Sequence, residues 1–365
     1  MAQEKLKPTL RSLAAEAGVS AMAVSLALRN SPGVSNATRG KIQQLAERRG
    51  YRPDPTISRL MAHLRGGRTV RFRANLCGIS DRWPSDAGVE TSYRDRLLFG
   101  LRQRADALGY GFELVHLDDF ASGRPLQRRL FARGIQGLVI LPLLRPRDLV
   151  GLLNWNLFAT VTVTSSLVAP RFNGVSPQHF DNMLLACQKL AAMGRQRIGL
   201  VLPRDWDLRV NHRWTGAITW QNHFGGTHPV PPFISNESGP GLDVKALMAW
   251  VIREKPDVVI SDQIAQPALH EAIGVLPRHL RPQLVTLNSS GINGQTGIDQ
   301  QVEEIGSTAI DMLASMILHS EKGVPAAAHT TMILGRWVPG RATHSRQKPD
   351  VAGSRPHKKI PRSRK

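Results

Sequence analysis

Apolar positions near the start of the chain recur at helical spacing in short runs. In TLRSLAAEAGVSAMAVSLALRN, residues 9–30, Leu10, Leu13, Ala14 and Ala17 share one helical face. Thr9 stands where an N-cap oxygen accepts an orphan amide proton, and Gly18 supplies the left-handed residue that closes a helix without a Cβ clash. Ser20 caps the next helix after a turn of only about three residues. On that helix Val24, Ala27 and Leu28 face inward, while Ala21, Met22, Ser25, Leu26 and Arg29 face outward. A third helix is predicted behind the pair, capped by Ser35, striped by Ile42, Leu45 and Ala46 and stopped at Gly50. This is the pattern of a helix-turn-helix that reads DNA. A capped helical hairpin that binds another protein has the same pattern, so chemistry must separate the two.

From residue 74 the rhythm changes to alternating strands and helices. ANLCGIS, FELVHL and the fully apolar GLVILPL read as strands, separated by an amphipathic helix with Leu97, Leu101, Ala105 and Leu108 inward and by a helix around Leu126 to Ala132. The alternation resumes at ATVTVTS, the helix Asn182 to Met193, RIGLVLP, HRWTGAITWQNHF, DVVISD and LVTLNS. Such a pattern argues for parallel sheets covered by helices, in two successive lobes.

Charge changes the picture for the first segment. The chain of 365 residues has 48 Lys and Arg against 28 Asp and Glu, a formal net charge of +20. Lys5, Lys7, Arg11, Arg29, Arg39, Lys41, Arg48, Arg49 and Arg52 crowd the helix-turn-helix region, which suits a surface that displaces counterions from phosphates. Cys77 and Cys187, both in apolar stretches and without metal-ligand spacing, read as buried thiols in a reducing compartment. MAQEKLKPTL lacks the apolar core of a secretory signal, and no run approaches the roughly 18 apolar residues of a membrane span. A cytoplasmic protein without membrane attachment is expected.

The order A-x-x-A-G-V-S, V-S-x-A-L, V-S-x-x-T-R and the closing G-Y-x-P, between Thr9 and about Met61, closely resembles the headpiece of the lactose-repressor (LacI/GalR) family of bacterial transcription regulators. The similarity continues more loosely to about Thr343. It implies a helix-turn-helix headpiece over 1–54, a hinge helix and linker over 55–72, and a two-lobed α/β core of the periplasmic-binding-protein type I fold over 73–343. The first lobe takes 73–177 and 302–330, the second 178–301 and 331–343, and 344–365 forms a basic, disordered tail suited to nonspecific DNA affinity or to solubility alone. The tail lacks leucine heptads, so a homodimer is the larger assembly expected.

By the same resemblance Thr9, Leu10, Arg11, Ser20, Ala21, Met22, Ser25, Leu26, Arg29 and Tyr51 face DNA. The hinge helix, from about Pro55 to His63, places Leu60 and Met61 as a minor-groove wedge, their alternative being interdomain packing. The chain departs from the family at Asp54, where asparagine is usual, and at Ala21, Met22 and Leu26, where relatives carry polar side chains. Those apolar groups predict contact with thymine methyls in place of bidentate hydrogen bonds.

The effector cleft is less sharply marked. Arg213, three residues before Gly216, matches an arginine that holds effector hydroxyls or carboxylates; a surface salt bridge is its alternative. Asn288 stands where sugar sensors present an aspartate, followed by Ser289 and Ser290; Ser261, Asp262 and Gln300 match further polar positions, and Pro177 replaces an aromatic or acidic residue. Of Trp206, Trp214 and Trp220, Trp214 is the candidate for stacking on a sugar ring, core packing being the alternative. The effector is thus a sugar, a different polyol, or absent; in the last case the protein is an architectural or constitutive DNA-binding regulator.

Signatures of an enzyme are missing: no G-x-S-x-G elbow, G-x-x-x-x-G-K-[ST] phosphate loop, G-x-G-x-x-G or H-E-x-x-H occurs. His116 with Asp118 and Asp119 reads as a surface cluster after a strand, and no cofactor or metal is expected. The expected partners are double-stranded operator DNA, a small-molecule effector and a second copy of the chain, with repression the expected sign of regulation.

Overall fold

A glycine and two serine caps set the three helices that open the chain. The computed structural model describes residues 10–28, 34–49, 74–82, 93–235, 242–262, 265–290 and 294–340. α1 (Leu10–Ala17) ends at Gly18, whose φ of +65° is left-handed, and the Val19 amide reaches back to the Ala14 carbonyl at 3.0 Å. α2 (Ala21–Leu28) begins where the Ala23 amide donates to Ser20 Oγ at 3.1 Å. In the same way the Thr38 amide donates to Ser35 Oγ at 3.2 Å and starts α3 (Asn36–Arg49). Leu13, Ala14, Val24, Ala27, Ile42, Leu45 and Ala46 close over one another as a small core, with Leu28 packed at its edge. Gln43 Nε2 donates to the Ala27 carbonyl at 3.3 Å, satisfying an acceptor in the last turn of α2.

The core then runs β1 (Ala74–Ser80), α4 (Tyr93–Ala107), β2 (Tyr110–His116), α5 (Gly123–Ala132), β3 (Ile135–Ile140), β4 (Arg147–Asp148), β5 (Ala159–Val163), β6 (Leu167–Ala169) and β7 (Asn173–Pro177). It continues with α6 (His179–Ala192), β8 (Ile198–Pro203), α7 (Arg204–Arg209), α8 (Arg213–Phe224), β9 (Phe233–Ser235) and α9 (Val244–Glu254). Next come β10 (Val258–Ser261), α10 (Gln266–Gly274), β11 (Gln283–Thr286) and β12 (Gly297–Asp299). Last are α11 (Val302–His319), β13 (Thr330–Ile333) and β14 (Arg336–Val338).

These strands form two six-stranded sheets, ordered β13-β7-β5-β3-β1-β2 and β14-β12-β11-β10-β8-β9, while β4 and β6 pair by themselves. The first sheet is parallel throughout, and in the second only β14 runs antiparallel, against β12. The chain therefore passes between sheets after β7, after β12 and after β13. Helices cover both faces of each sheet, which is why the strands read as continuous apolar runs. Leu97, Leu101, Ile305 and Leu313 seal one face of the first lobe, and Leu126 and Leu130 the other. In the second lobe Met183, Leu190, Trp214 and Ile218 pack on one side and Leu247, Trp250, Leu269 and Ile273 on the other.

Observed helices begin earlier than periodicity placed them. α5 starts at Gly123 and α6 at His179, because each first turn carries too few apolar residues to register in the pattern. Both cysteines are buried, and burial pushes each thiol up to about 12. Among the described residues no helix is long and apolar enough to cross a membrane. The hinge region, the basic tail and Gly50 lie outside the described residues.

Candidate functional site: DNA-reading headpiece and interlobe cleft

The headpiece fixes the exposed side of α2 by burying the opposite side. Val24 and Ala27 have no exposure, and Leu26, between them in sequence, is half-buried at the margin. Ser20 acts as the N-cap it was expected to be, so the amino end of α2 is held by its oxygen. Arg49 forks onto Glu16, with Nη2 at 2.7 Å and Nε at 2.9 Å, and ties α3 to α1. Leu10, Arg11, Ala21, Met22 and Ser25 belong to α1 and α2, whose helical backbone is described. The expectations for Thr9, Arg29, Tyr51, Leu60 and Met61 fall outside the described residues.

The second site lies where carboxyl ends of the two parallel sheets meet, the usual ligand position for such sheets. Ser261 ends β10, Asn288 follows β11 and Gln300 follows β12, three neighbouring strands, and all three residues are buried. Asn288 is anchored by its backbone N–H donating to Thr286 Oγ1 at 3.2 Å, and Gln300 by Nε2 donating to the Leu287 carbonyl at 2.6 Å. Ser261 Oγ and Gln300 Oε1 are buried and make no hydrogen bond, so polar capacity is left over at these strand ends.

Among the described residues, side chains of the two lobes meet in several contacts. Arg213 Nη1, from the start of α8, donates to Ser165 Oγ, just past β5, at 2.6 Å. Arg145, past β3, pairs with Asp205 of α7 at 3.0 Å. Arg96 of α4 bonds Asp299 at the end of β12 at 2.8 Å and Glu303 of α11 at 2.6 Å. Burial alone would lower the Arg96 pKa, but hydrogen bonds to Glu303 and Asp299 outweigh it and raise it. Both carboxyls, which burial would raise, are instead held below their ordinary range by Arg96.

Arg209 is buried and lies over the Trp206 ring at 4.9 Å. Burial lowers its pKa against the opposing fields of Asp262, Tyr93, Asp81 and Asp205, which places Asp262 and Tyr93 around one guanidinium. Trp214 is only 4% exposed and meets the His179 ring edge-on at 4.7 Å. It belongs to the second-lobe core cluster. Trp220 is exposed and stacks on Phe224. His116 faces the Asp81 carbonyl, Asp118 accepts from the Arg82 amide and Asp119 pairs with the Arg82 side chain. Among the described residues no group of three or more His, Cys, Asp or Glu could hold a metal ion.

Residues 9–54 match the family model described as bacterial regulatory proteins of the lacI family. The matched segment is the headpiece, with its helix-turn-helix. Proteins matched by that model are bacterial regulators, so the likeness at the headpiece is to a DNA-binding segment. The whole architecture is similar to that of solved regulators. A complex of the transcriptional regulator CelR with cellobiose has a TM-score of 0.54 at 16% identity, covering 91% of this chain and 99% of that one. The Lac repressor dimer bound to operator and the anti-inducer ONPF has a TM-score of 0.53 at 20% identity, covering 92% and 99%. The LacI-family regulator CCPA from Weissella paramesenteroides, with bound glucose, has a TM-score of 0.54 at 14% identity, covering 73% and 97%. At these identities the likeness is one of fold. No curated protein matches the chain by sequence.

Sequence reasoning missed Tyr93, Arg96, Ser165, His179 and Arg209. Arg209 sits in RDWDLR, where alternating charge reads as a solvated turn. Arg96 and Asp299 are 203 residues apart, and nothing local pairs them. The signal available for Arg209 was its position four residues before Arg213.

Proposed function

We propose that this chain is a LacI-family regulator, a cytoplasmic homodimeric repressor that binds a pseudo-palindromic operator and responds to a small molecule, sugar-like in class, in its interlobe cleft. The observation that carries this reading is the union in one chain of a capped helix-turn-helix with two lobes whose polar strand ends face each other. One headpiece reads only a few base pairs, so two-fold symmetry must double the site. The Lac repressor structure is a dimer on operator, and relatives of the same fold hold cellobiose or glucose.

Thr9, Leu10, Arg11, Ser20, Ser25, Arg29 and Tyr51 take backbone-positioning roles, and Ala21, Met22 and Leu26 make apolar contact with thymine methyls. Leu60 and Met61 wedge the minor groove at the centre of the site. In the cleft Arg213, Ser261, Asp262, Asn288 and Gln300 hold the ligand, which acts by binding one arrangement of the lobes better than another. A constitutive regulator is the second reading, favoured by bridges such as Arg213–Ser165, Arg145–Asp205 and Arg96–Asp299, which join the lobes with side chains alone.

The deciding experiment measures affinity of the full-length protein for its selected operator with and without a panel of sugars, polyols and sugar acids. A ligand that shifts the affinity in the parent but not in Arg213→Gln supports the sensor. An operator affinity that no small molecule moves supports the constitutive reading.

A further inference from the structure

The charge balance around Arg213 narrows the class of ligand. Among the described residues no carboxylate pairs with this guanidinium; its hydrogen bond goes to the neutral Ser165 hydroxyl at 2.6 Å. Burial lowers its pKa with nothing opposing, as expected for a cation taken from water without a counter-ion. The carboxylates nearby are engaged elsewhere. Asp207 accepts from His212 Nδ1 and from Thr215 Oγ1, each at 2.8 Å. Asp81 accepts from Arg147 at 2.6 Å and from the Leu144 amide at 2.8 Å, and Asp205 pairs with Arg145. Asp262 is the strongest opposing charge on Arg209, so it offsets one guanidinium and leaves the other.

His179 stands between these arginines and the second-lobe core. It is 3% exposed, in the first turn of the fourteen-residue helix α6, with its ring against Trp214. Burial, then the fields of Arg213 and Arg209, push its pKa down to about 3, against weak opposition from the Pro177 carbonyl, so the ring is neutral. Its Nδ1 is buried without a hydrogen bond. Asp181, in the same turn, is exposed. A half-buried cation lacking its anion, beside a buried ring nitrogen lacking its partner, is a half-built anion site.

We propose that the cleft is built for a ligand carrying a carboxylate or phosphate group, whose oxygens are taken by the Arg213 guanidinium, while His179 Nδ1, the accepting nitrogen of the neutral ring, accepts a hydrogen bond from a hydroxyl of the same ligand. This deepens the sensor reading above and rests on it. The anion displaces Ser165 from Arg213, so its arrival exchanges a bridge between the lobes for a bridge through the ligand. A neutral sugar would leave the guanidinium uncompensated, and Asn288 offers no carboxylate for paired hydroxyls.

The test uses the full-length protein with inorganic phosphate and with the matched pair D-gluconate and D-glucose, read by calorimetric titration and by melting temperature. The expected result is saturable binding of phosphate or gluconate, at least tenfold tighter than glucose. Arg213→Gln and His179→Gln should each weaken it at least tenfold, and Arg213→Lys should weaken it less than Arg213→Gln. Ser165→Ala, which removes only the competing acceptor, should tighten it. Glucose binding that is lost in Arg213→Gln, with no response to either anion, overturns the anion proposal and leaves the sensor reading standing. Anion binding unchanged in all four variants overturns the proposal and places the ligand elsewhere. The absence of any anion response overturns it as well.

Discussion

Arg96 Nη2 and Asp299 Oδ1 meet at 2.8 Å, joining the first helix of one lobe to the end of a strand in the other. The remaining Asp299 oxygen accepts from Arg336 at 2.9 Å, and Arg96 also forks onto Glu303. One buried carboxylate is thus shared by guanidinia from elements far apart in sequence. Removing Arg96 leaves that carboxylate short of its inner partner, whereas removing the mostly exposed Arg336 leaves the inner partner in place.

Arg96→Met is therefore expected to cost about 3 kcal/mol of unfolding free energy, as for other buried pairs broken on one side. Arg336→Ala should cost less than about 1 kcal/mol. Denaturant midpoints of the two variants check this, and equal losses would mean that the pair is not the anchor described.

His179 makes stability depend on pH in a window of its own. Its folded pKa of about 3 lies below the ordinary 6.5, so as pH falls below 6.5 the unfolded chain gains a proton that the folded chain refuses. Stability should decline by about 1.4 kcal/mol per pH unit from this group. Asp299 and Glu303 have depressed folded values, so their contribution is present above their ordinary range and is lost at lower pH, below about 4.5. The difference between parent and His179→Gln, measured from pH 7 to pH 5, isolates the histidine, and a flat difference would refute its buried neutral state.

Two glycines let α4 and α11 cross closely. A Cβ on Gly100 would lie 2.2 Å from the Glu303 carbonyl oxygen, and one on Gly306 would lie 2.7 Å from that of Leu97. Both neighbours are backbone, which cannot step aside, so Gly100→Ala should destabilise by about 3 kcal/mol. Gly216, within α8, has no heavy atom within 4 Å of its virtual Cβ. Gly216→Ala should therefore stabilise by about 0.5–1 kcal/mol through helix propensity. Melting curves of the two variants should move in opposite directions.

The headpiece was legible because its rules are local. Ser20 and Ser35 cap helices that begin one residue later, Gly18 closes another, and the apolar stripe of α3 predicts its buried side. The two lobes were legible as rhythm, since strands covered on both faces must be continuously apolar. Pairings across the chain were not legible. Arg213 could be picked out, but its Ser165 partner lies 48 residues earlier on the opposite lobe, and His179 is a common residue at the start of a common helix. Trp214 illustrates the same limit: its place on a helix was readable, but which side of that helix met the core was set by α6.

The central claim, that this chain reads DNA through its capped headpiece, is tested most directly by selecting bound duplexes from a random pool with the full-length protein. The account predicts enrichment of one inverted repeat, and its loss in Leu13→Asp, which breaks the headpiece core at a residue 1% exposed while leaving both sheets untouched. Failure to enrich any sequence, or enrichment of the same repeat by Leu13→Asp, would contradict it.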